Sequence, residues 1–373
     1  MKDCKREWAV CLLFGLALLA LCAGTLLSAR DYSAREKRYL ADAPTLSAAE
    51  LLSGRFAAGT EAYMADHLPC RDALVGAAAY GDLLSGRLNT GEILRGASGR
   101  LYERPVRWDE ETAEENLAAI RAFAEKTGLR TSLMLVPSAG FVLRDDLPRL
   151  HERYTDEEMI ARCRALAGEE IAFIDLTGPF ETAEDRAGLY YATDHHWTSR
   201  GARTAAGAYL EGVGRTITPA EGYAVESVPG FRGSTYARSA LWLTPGEALE
   251  LWDCGGSFAV TNSESGGAHE GLFYRERLGS DDPYTVFLDG NHALVRIENR
   301  DPDAEGSLLV IRDSFSNCLG CFLAEGYRTV VLADLRYYRL PLSELCAQED
   351  FDALLVVYSL GNFLRESNLL WLE

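Results

Sequence analysis

The amino-acid sequence predicts an α/β fold built around a mostly parallel sheet. Of the 373 residues, 47% are hydrophobic and only 12 are proline, so a folded core is expected. Apolar runs of strand length alternate with segments of helical periodicity over much of the chain. This strand–helix–strand order is typical of a parallel sheet that helices cover on its faces.

The individual elements follow from the same periodicity. Strands are predicted at 131–136, 171–176, 307–312, 329–333 and 353–358, with helices at 111–127, 155–168, 199–213, 315–326 and 341–347. Residues 220–300 differ, because they are rich in Gly, Ser, Thr and Tyr and contain short alternating runs at 284–288 and 293–297. We expect one ectodomain over 56–373, with a β-rich antiparallel insertion at about 220–300.

The amino terminus carries a candidate transmembrane helix. Basic residues precede an uncharged apolar run from Trp8 to Leu27, long enough as a helix to span roughly 30 Å of hydrocarbon. The charge distribution predicts a short cytoplasmic end and an ectodomain outside the membrane. Segment 1–30 is thus expected to be a cytoplasmic stub and signal anchor, and 31–55 a juxtamembrane tether. A cleaved signal peptide is the competing interpretation.

The overall charge excludes one class of partner. The chain has 37 Lys and Arg residues against 56 Asp and Glu residues, a formal net charge of −19. Electrostatic binding to nucleic acid phosphates is therefore disfavoured. No nucleic-acid partner and no cofactor are expected.

The cysteines do not form the spacing of a small disulfide-stapled protein. Cys318 and Cys321 have the separation of a redox or zinc half-site, but they fall on a predicted helix without a second Cys pair or a nearby His. Packing of that helix face is the favoured interpretation, and no metal site is predicted.

Ser314 is the sharpest candidate for chemistry. It follows the apolar strand 308–311 at the start of a predicted helix, where backbone N–H groups are unpaired and the helix dipole is positive. A hydroxyl there would lie beside ready-made oxyanion donors. Ser314 or Asp313 could equally serve as an ordinary helix cap, and position alone favours the cap.

A second candidate is the run Asp194-His195-His196, in a chain with six histidines. Asp194 and His196 could form an acid–base pair in which the carboxylate fixes the imidazole tautomer and the ring accepts a serine proton. The three residues could also ligate a metal, or be structural. The other histidines are scattered singly, so the acid–base pair is favoured.

The motif and several collinear segments resemble a known family, the DHHW proteins, which are membrane-anchored bacterial surface proteins. The resemblance covers roughly residues 55–373. The matching pieces are Asp66-His67, Arg71-Asp72, the glycine turn 96–102, Leu135–Ser138, Thr193–Ala202, Phe231–Ser234, Asp289–His292, Ile311–Ser316 and Asp334–Tyr338.

The DHHW proteins are similar to the SGNH-hydrolase-like alginate O-acetyltransferase group, which implies a three-layer SGNH-like fold. The resemblance implies Ser314 as nucleophile, His196 as general base and Asp194 as its orienting carboxylate. Arg312 stands where ordinary SGNH esterases have Gly, a departure that leaves the oxyanion geometry open. The further oxyanion or substrate-positioning candidates are Asn291, Asn317 and Tyr337.

The implied function is transfer of an acyl group, most simply acetyl, to a cell-wall or exopolysaccharide acceptor outside the cell. The alginate-like systems also imply a membrane-bound O-acyltransferase as donor partner. The location would be the bacterial cell membrane, with a single pass and an extracytoplasmic ectodomain. Three alternatives stay open: a carbohydrate acetylesterase of the same fold, a metal-dependent hydrolase, and a non-catalytic cell-surface scaffold.

Overall fold

The computed structural model describes residues 2–28 and 30–372. In these residues the α-helices are, in chain order, α1 (Lys2–Leu26), α2 (Ala48–Leu52), α3 (Arg55–His67), α4 (Arg71–Leu84), α5 (Glu110–Thr127), α6 (Ala139–Val142), α7 (Asp156–Ala167), α8 (Thr177–Glu181), α9 (Ser199–Gly212), α10 (Ser234–Ser239), α11 (Ser316–Leu323), α12 (Leu342–Gln348) and α13 (Leu360–Phe363).

The strands of the same residues are β1 (Tyr32–Ser33), β2 (Arg38–Tyr39), β3 (Asn89–Thr90), β4 (Ile93–Arg95), β5 (Leu101–Glu103), β6 (Arg130–Val136), β7 (Ala172–Ile174), β8 (Ala224–Phe231), β9 (Glu247–Asp253), β10 (Phe258–Asn262), β11 (His269–Glu270), β12 (Leu294–Asn299), β13 (Ser307–Arg312), β14 (Thr329–Ala333) and β15 (Ala353–Ser359).

The chain divides into two compact units. One comprises the residues up to Thr90 together with Ala237–Leu243, and the other comprises Gly91–Tyr236 and the residues from Thr244 onward. The second unit contains the large sheet and every residue predicted for the site. The domain boundaries predicted at residues 30 and 55, and the predicted insertion at 220–300, stay predictions.

The large sheet has eight strands in the order β11-β10-β12-β14-β13-β15-β6-β7. The strands from β14 to β7 run parallel, whereas β12, β10 and β11 extend the β14 edge in antiparallel pairings. The predicted α/β fold with a mostly parallel central sheet is confirmed. Residues 220–300 supply the antiparallel extension and the separate hairpin of β8 and β9.

Strand β13 lies in the middle of this sheet and is buried on both faces. Leu309 and Ile311 belong to an apolar core shared with α5, α7 and α12. Since side chains alternate along a strand, Leu308 and Val310 point to the opposite face. Helix α11 packs there against β14, so helices cover the sheet on both sides. The chain leaves β13 for α11 at Asp313 and Ser314.

The first unit contains the apolar amino-terminal helix. The stretch Arg6–Leu26 of α1 has a mean hydropathy of 2.5 and is long and apolar enough to cross a membrane, and the described residues hold one such helix. Residues 31–55, expected to be a tether, contain the β1–β2 hairpin and α2. Arg38 of this segment forms a bidentate pair with Asp66 of α3.

Candidate active site

The turn after β13 is held in place by Asp313. Its carboxylate is fully buried and accepts hydrogen bonds from Ser359 N at 2.8 Å, Asn362 Nδ2 at 2.9 Å and Phe315 N at 3.1 Å. Ser359 ends the neighbouring strand β15, so these bonds fix the two strand ends together. Ser314 follows Asp313 and is partly exposed.

The structure brings the three sequence-predicted residues into one hydrogen-bonded chain. His196 Nε2 lies 2.8 Å from Ser314 Oγ, and His196 Nδ1 lies 2.6 Å from Asp194 Oδ1. Asp194 and His196 are buried. In this geometry the imidazole can accept the Ser314 proton at Nε2 while the carboxylate holds Nδ1–H.

Asp194 is held as an anion. Burial by itself raises the pKa of this carboxyl, but the charges of His196 and His195, the hydrogen bond from His196 and that from Ser234 N at 2.6 Å outweigh it. The pKa of Asp194 is therefore well below its usual range. Gly233 is required beside it, because a Cβ at that position would lie 2.0 Å from Asp194 Oδ2.

Aromatic rings enclose His196. The His196 ring stacks on Tyr284 with centroids 4.0 Å apart and contacts Phe315 at 4.9 Å. Trp197, which is fully buried, donates from Nε1 to the Phe315 carbonyl at 3.0 Å. The turn that contains Ser314 and the segment that contains His196 are thus joined by a direct hydrogen bond. No local pattern in the sequence indicated Tyr284 as a site residue.

His195 lies next to His196. Its ring lies 3.8 Å from that of His196, and its Nδ1 is hydrogen-bonded to Ser234 Oγ. Burial and the neighbouring His196 lower the pKa of His195 below 6.5. Among the described residues, Asp194, His195 and His196 form the single cluster with ligand atoms close enough to hold a metal ion. Both ring nitrogens of His196 are already engaged by Asp194 and Ser314.

Glu247 of β9 positions the segment that precedes Asp194. Its carboxylate accepts from Ala192 N at 2.7 Å, Thr193 N at 2.7 Å and Thr193 Oγ1 at 2.6 Å. Burial raises the pKa of Glu247 despite these three bonds. The β8–β9 hairpin therefore contributes directly to the site, which the sequence did not indicate.

The predicted polar residues Asn291 and Asn317 lie together on Arg312. Asn317 Nδ2 donates to Asn291 Oδ1 at 2.9 Å, and Arg312 donates to the side-chain oxygens of both. Asn317 is buried and Asn291 is exposed. Asn317 is also tied to the nucleophile's turn, since its N–H donates to the Ser314 carbonyl at 3.1 Å.

Tyr337 is not joined to this group by any hydrogen bond in the described chain. It follows β14, its side chain is exposed, and Arg336 lies over its ring at 5.7 Å. Arg336 in turn forms a bidentate pair with buried Asp334.

The backbone N–H of Ser314 is available as a hydrogen-bond donor. In the part of the chain that the structure describes, the Ser314 N–H has no hydrogen-bond acceptor. Cys318 and Cys321, one and two turns further along α11, are free buried thiols whose pKa burial raises. They contribute packing to α11, the helix that follows Ser314.

Two family models match parts of this chain. A family model described as an SGNH hydrolase-like domain, acetyltransferase AlgX, matches residues 99–232, and a model described as DHHW protein matches residues 182–333. The predicted resemblance to both groups is confirmed.

Individual relatives agree with the family models. The probable alginate O-acetylase AlgJ of Pseudomonas putida is 31% identical over 116 residues, a match that spans 30% of this chain and 30% of that protein. A DHHW family protein from Eubacterium siraeum has a TM-score of 0.65 and 20% identity, covering 75% of this chain and 93% of its own. Bacillus cereus PatB1, solved with a sulfonyl adduct, has a TM-score of 0.64 and 22% identity, covering 75% and 98%. The two solved structures establish the fold.

Proposed function

We propose that this chain is a membrane-anchored, extracytoplasmic serine O-acyltransferase that transfers acetyl groups to a cell-wall or exopolysaccharide. The observation that carries the proposal is the hydrogen-bonded chain from Ser314 through His196 to Asp194 at the end of a central parallel strand. The acetyltransferase description of one family model and the name of the Pseudomonas relative support the reaction and acceptor class.

The reaction proceeds in two steps that use the same residues. His196 Nε2 takes the Ser314 proton while Oγ attacks the acyl carbonyl, and the Ser314 N–H donates to the oxyanion that forms. Collapse expels the donor's leaving group, which receives the proton from His196. An acceptor hydroxyl then loses its proton to His196 and attacks the acyl-serine, and His196 returns that proton to Ser314 Oγ as the acylated acceptor leaves. Asp194 stays ionised and holds the imidazole throughout.

The amino-terminal helix supports the location part of the proposal. With α1 as a single-pass anchor, the second unit lies outside the bacterial cell membrane, where a polysaccharide acceptor is available. An acyl donor made in the cytoplasm must then cross the membrane. A membrane-bound O-acyltransferase is the partner proposed to deliver it.

One observation favours a second function. Ser314 is partly exposed, so water could reach the acyl-serine and the chain would act as a carbohydrate acetylesterase. The two functions share the acyl-enzyme and differ only in the acceptor of the second step.

The acyl-enzyme is tested with the full-length chain in detergent and p-nitrophenyl acetate. Release of nitrophenol and a mass gain of one acetyl group, mapped to Ser314, are expected for the wild type. Both should be lost in Ser314→Ala and His196→Ala and kept in Ser280→Ala, which removes an exposed loop hydroxyl. If Ser314→Ala still hydrolyses the ester and a chelator abolishes that hydrolysis, the result would instead support a metal centre at Asp194, His195 and His196.

The acceptor is tested with the same acyl-enzyme. Oligosaccharides of alginate and of cell-wall glycans are offered in turn, and acetylated sugar is measured against free acetate by mass spectrometry. Acetylated sugar as the main product identifies a transferase, while free acetate that no sugar diminishes identifies an esterase. If the wild-type chain is stable but binds no acetyl group, the result would support the non-catalytic scaffold role.

A further inference from the structure

Arg312 is a buried cation next to the nucleophile. Its side chain is fully buried two residues before Ser314, and burial lowers its pKa. In the described chain no carboxylate forms an ion pair with it, and its Nε has no hydrogen-bond partner. The charges of Asp334 and Asp313 oppose this effect of burial, but burying a cation without an ion pair is still costly. The mechanism described above gives this residue no task.

The guanidinium is held by oxygen atoms of two segments. Nη1 donates to Asn291 Oδ1 at 3.2 Å and to Asn317 Oδ1, while Nη2 approaches the carbonyls of Gly290 and His292 at 3.5 and 3.4 Å. These partners come from the loop before β12 and from α11. Arg312 thus links that loop to the helix that follows Ser314.

Hydrogen-bond chemistry then fixes the orientation of both amides. A guanidinium has donors and no acceptor, so the atoms of Asn317 and Asn291 that face it must be their oxygens. Asn317 Nδ2 is thereby turned to Asn291 Oδ1, which accepts from both neighbours. The remaining donor of this chain is Asn291 Nδ2, and it belongs to an exposed residue.

The backbone before Asn291 is unusual in a way that agrees with this arrangement. Leu288, Asp289 and Gly290 all have left-handed φ angles, of 55°, 65° and 83°. Such angles are costly for residues other than Gly and persist when surrounding contacts impose them. Arg312 supplies such contacts through the Gly290 and His292 carbonyls.

We propose that Arg312 is a positioning residue that fixes the amides of Asn317 and Asn291 so that Asn291 Nδ2 donates to the oxyanion formed on Ser314. The inference rests on the proposed acyl transfer. It adds a second oxyanion donor to the Ser314 N–H and explains a buried cation at the position where ordinary SGNH esterases have Gly.

The test is a double-mutant cycle on the full-length chain in detergent. The rate constant for acylation by p-nitrophenyl acetate is measured for wild type, Asn291→Ala, Arg312→Lys and the double variant. Loss of one oxyanion donor lowers such rates by about 10²-fold, so Asn291→Ala should do so with KM little changed. Arg312→Lys keeps the positive charge but loses the planar set of N–H donors that the guanidinium presents to both amides. It should lower the acylation rate at least about tenfold.

The decisive comparison is the Arg312→Lys effect in the Asn291→Ala background. If Arg312 acts through Asn291, the second substitution should change the rate less than about twofold. An equal loss in both backgrounds would overturn the proposal. Asn317→Asp repeats the test without touching Arg312, since it keeps the acceptor and removes the donor to Asn291. Gln348→Glu is the control for an amide-to-acid change at an exposed position on α12.

A second readout does not depend on activity. The Asn317 side-chain NH2 should exchange slowly with solvent in the wild type and faster in Arg312→Lys, as followed by NMR of amide-labelled protein. Equal exchange in the two chains would also overturn the proposal. Acylation absent from wild-type Ser314 would instead refute the proposed function, while the exchange rates would still report on the Arg312 arrangement.

Discussion

Glu247 accepts hydrogen bonds from both the backbone N–H and the hydroxyl of Thr193, at 2.7 and 2.6 Å. With its third bond, from Ala192 N, the carboxylate holds the segment that enters Asp194. The position of the acid–base pair is therefore determined by a residue more than fifty positions away in the chain.

Replacing Glu247 tests this dependence. Glu247→Gln keeps the shape but presents an NH2 group to at least one of three donors, which leaves that donor unpaired at a cost of about 1–3 kcal/mol. We expect a lower free energy of unfolding in urea and slower acetylation of Ser314. Glu276→Gln, at an exposed position, is the matched control. Unchanged acetylation in a destabilised Glu247→Gln chain would show that the carboxylate stabilises the fold without positioning the site.

Gly233 provides a steric test of the Asp194 position. An added methyl group would meet Asp194 Oδ2 at 2.0 Å and its Cβ at 2.2 Å, so the carboxylate must move. Gly233→Ala should reduce acetylation by at least about tenfold, because a displaced carboxylate no longer orients His196. Gly266→Ala, where the added methyl group meets nothing within 4 Å, should behave like the wild type. Normal acetylation in Gly233→Ala would mean that Asp194 is not needed where it lies.

The parallel core was predictable because each of its strands can be recognised from its own sequence, without knowing which strands it pairs with. Strands β13, β14 and β15 are continuous apolar runs, as burial on both faces requires, and the helices between them have clear periodicity. At 284–288 the alternation of apolar and polar residues is typical of a strand, but no strand forms there. Pro283 begins a 3₁₀ turn over Pro283–Val286 instead, because its ring fixes φ near the helical value. The neighbouring run 293–297 does form most of β12.

Asp194, His196 and Ser314 were predictable as candidate site residues because each stands in a distinctive local motif. The residues that support them were not, since Glu247 and Tyr284 reach the site from elements 50 to 90 positions away. A glutamate on a strand and a tyrosine in a 3₁₀ turn carry no local sign of such contacts. Likewise, the polar composition of 31–55 predicted a tether, whereas Arg38 finds its partner Asp66 only in the folded chain.

Asp313 offers a prediction about the nucleophile's own turn. Asp313→Asn leaves one oxygen and one NH2 where two oxygens accept from Ser359 N, Asn362 Nδ2 and Phe315 N. At least one buried donor then loses its acceptor, so stability should fall by about 1–3 kcal/mol and acetylation should slow. Urea unfolding and acyl-enzyme mass spectrometry measure the two effects. Asp253→Asn, which changes an exposed turn, should alter neither by more than about 0.5 kcal/mol or twofold. The same mild result for Asp313→Asn would contradict its role in holding the turn.

The pair of Arg38 and Asp66 gives the first unit a predicted acid sensitivity. The bonds from Arg38 outweigh burial and, with the Ala41 N–H, lower the pKa of Asp66 from 3.8 to about 2. A carboxyl whose folded pKa is depressed stabilises the fold above its unfolded pKa and loses that contribution as pH falls through the folded pKa. The contribution is at most about 2 kcal/mol, since Arg38 is partly exposed to solvent.

Asp66→Asn should therefore destabilise the first unit by up to about 2 kcal/mol at pH 6, and by about half as much at pH 3. Urea unfolding of the full chain, followed by pulsed hydrogen exchange in peptides covering 31–67, measures this difference at both pH values. Glu50→Gln, which breaks the exposed pair with Arg55, should cost less than about 1 kcal/mol. If Asp66→Asn cost no more than Glu50→Gln at pH 6, Asp66 would not hold residues 31–41 in place, and this prediction would be wrong.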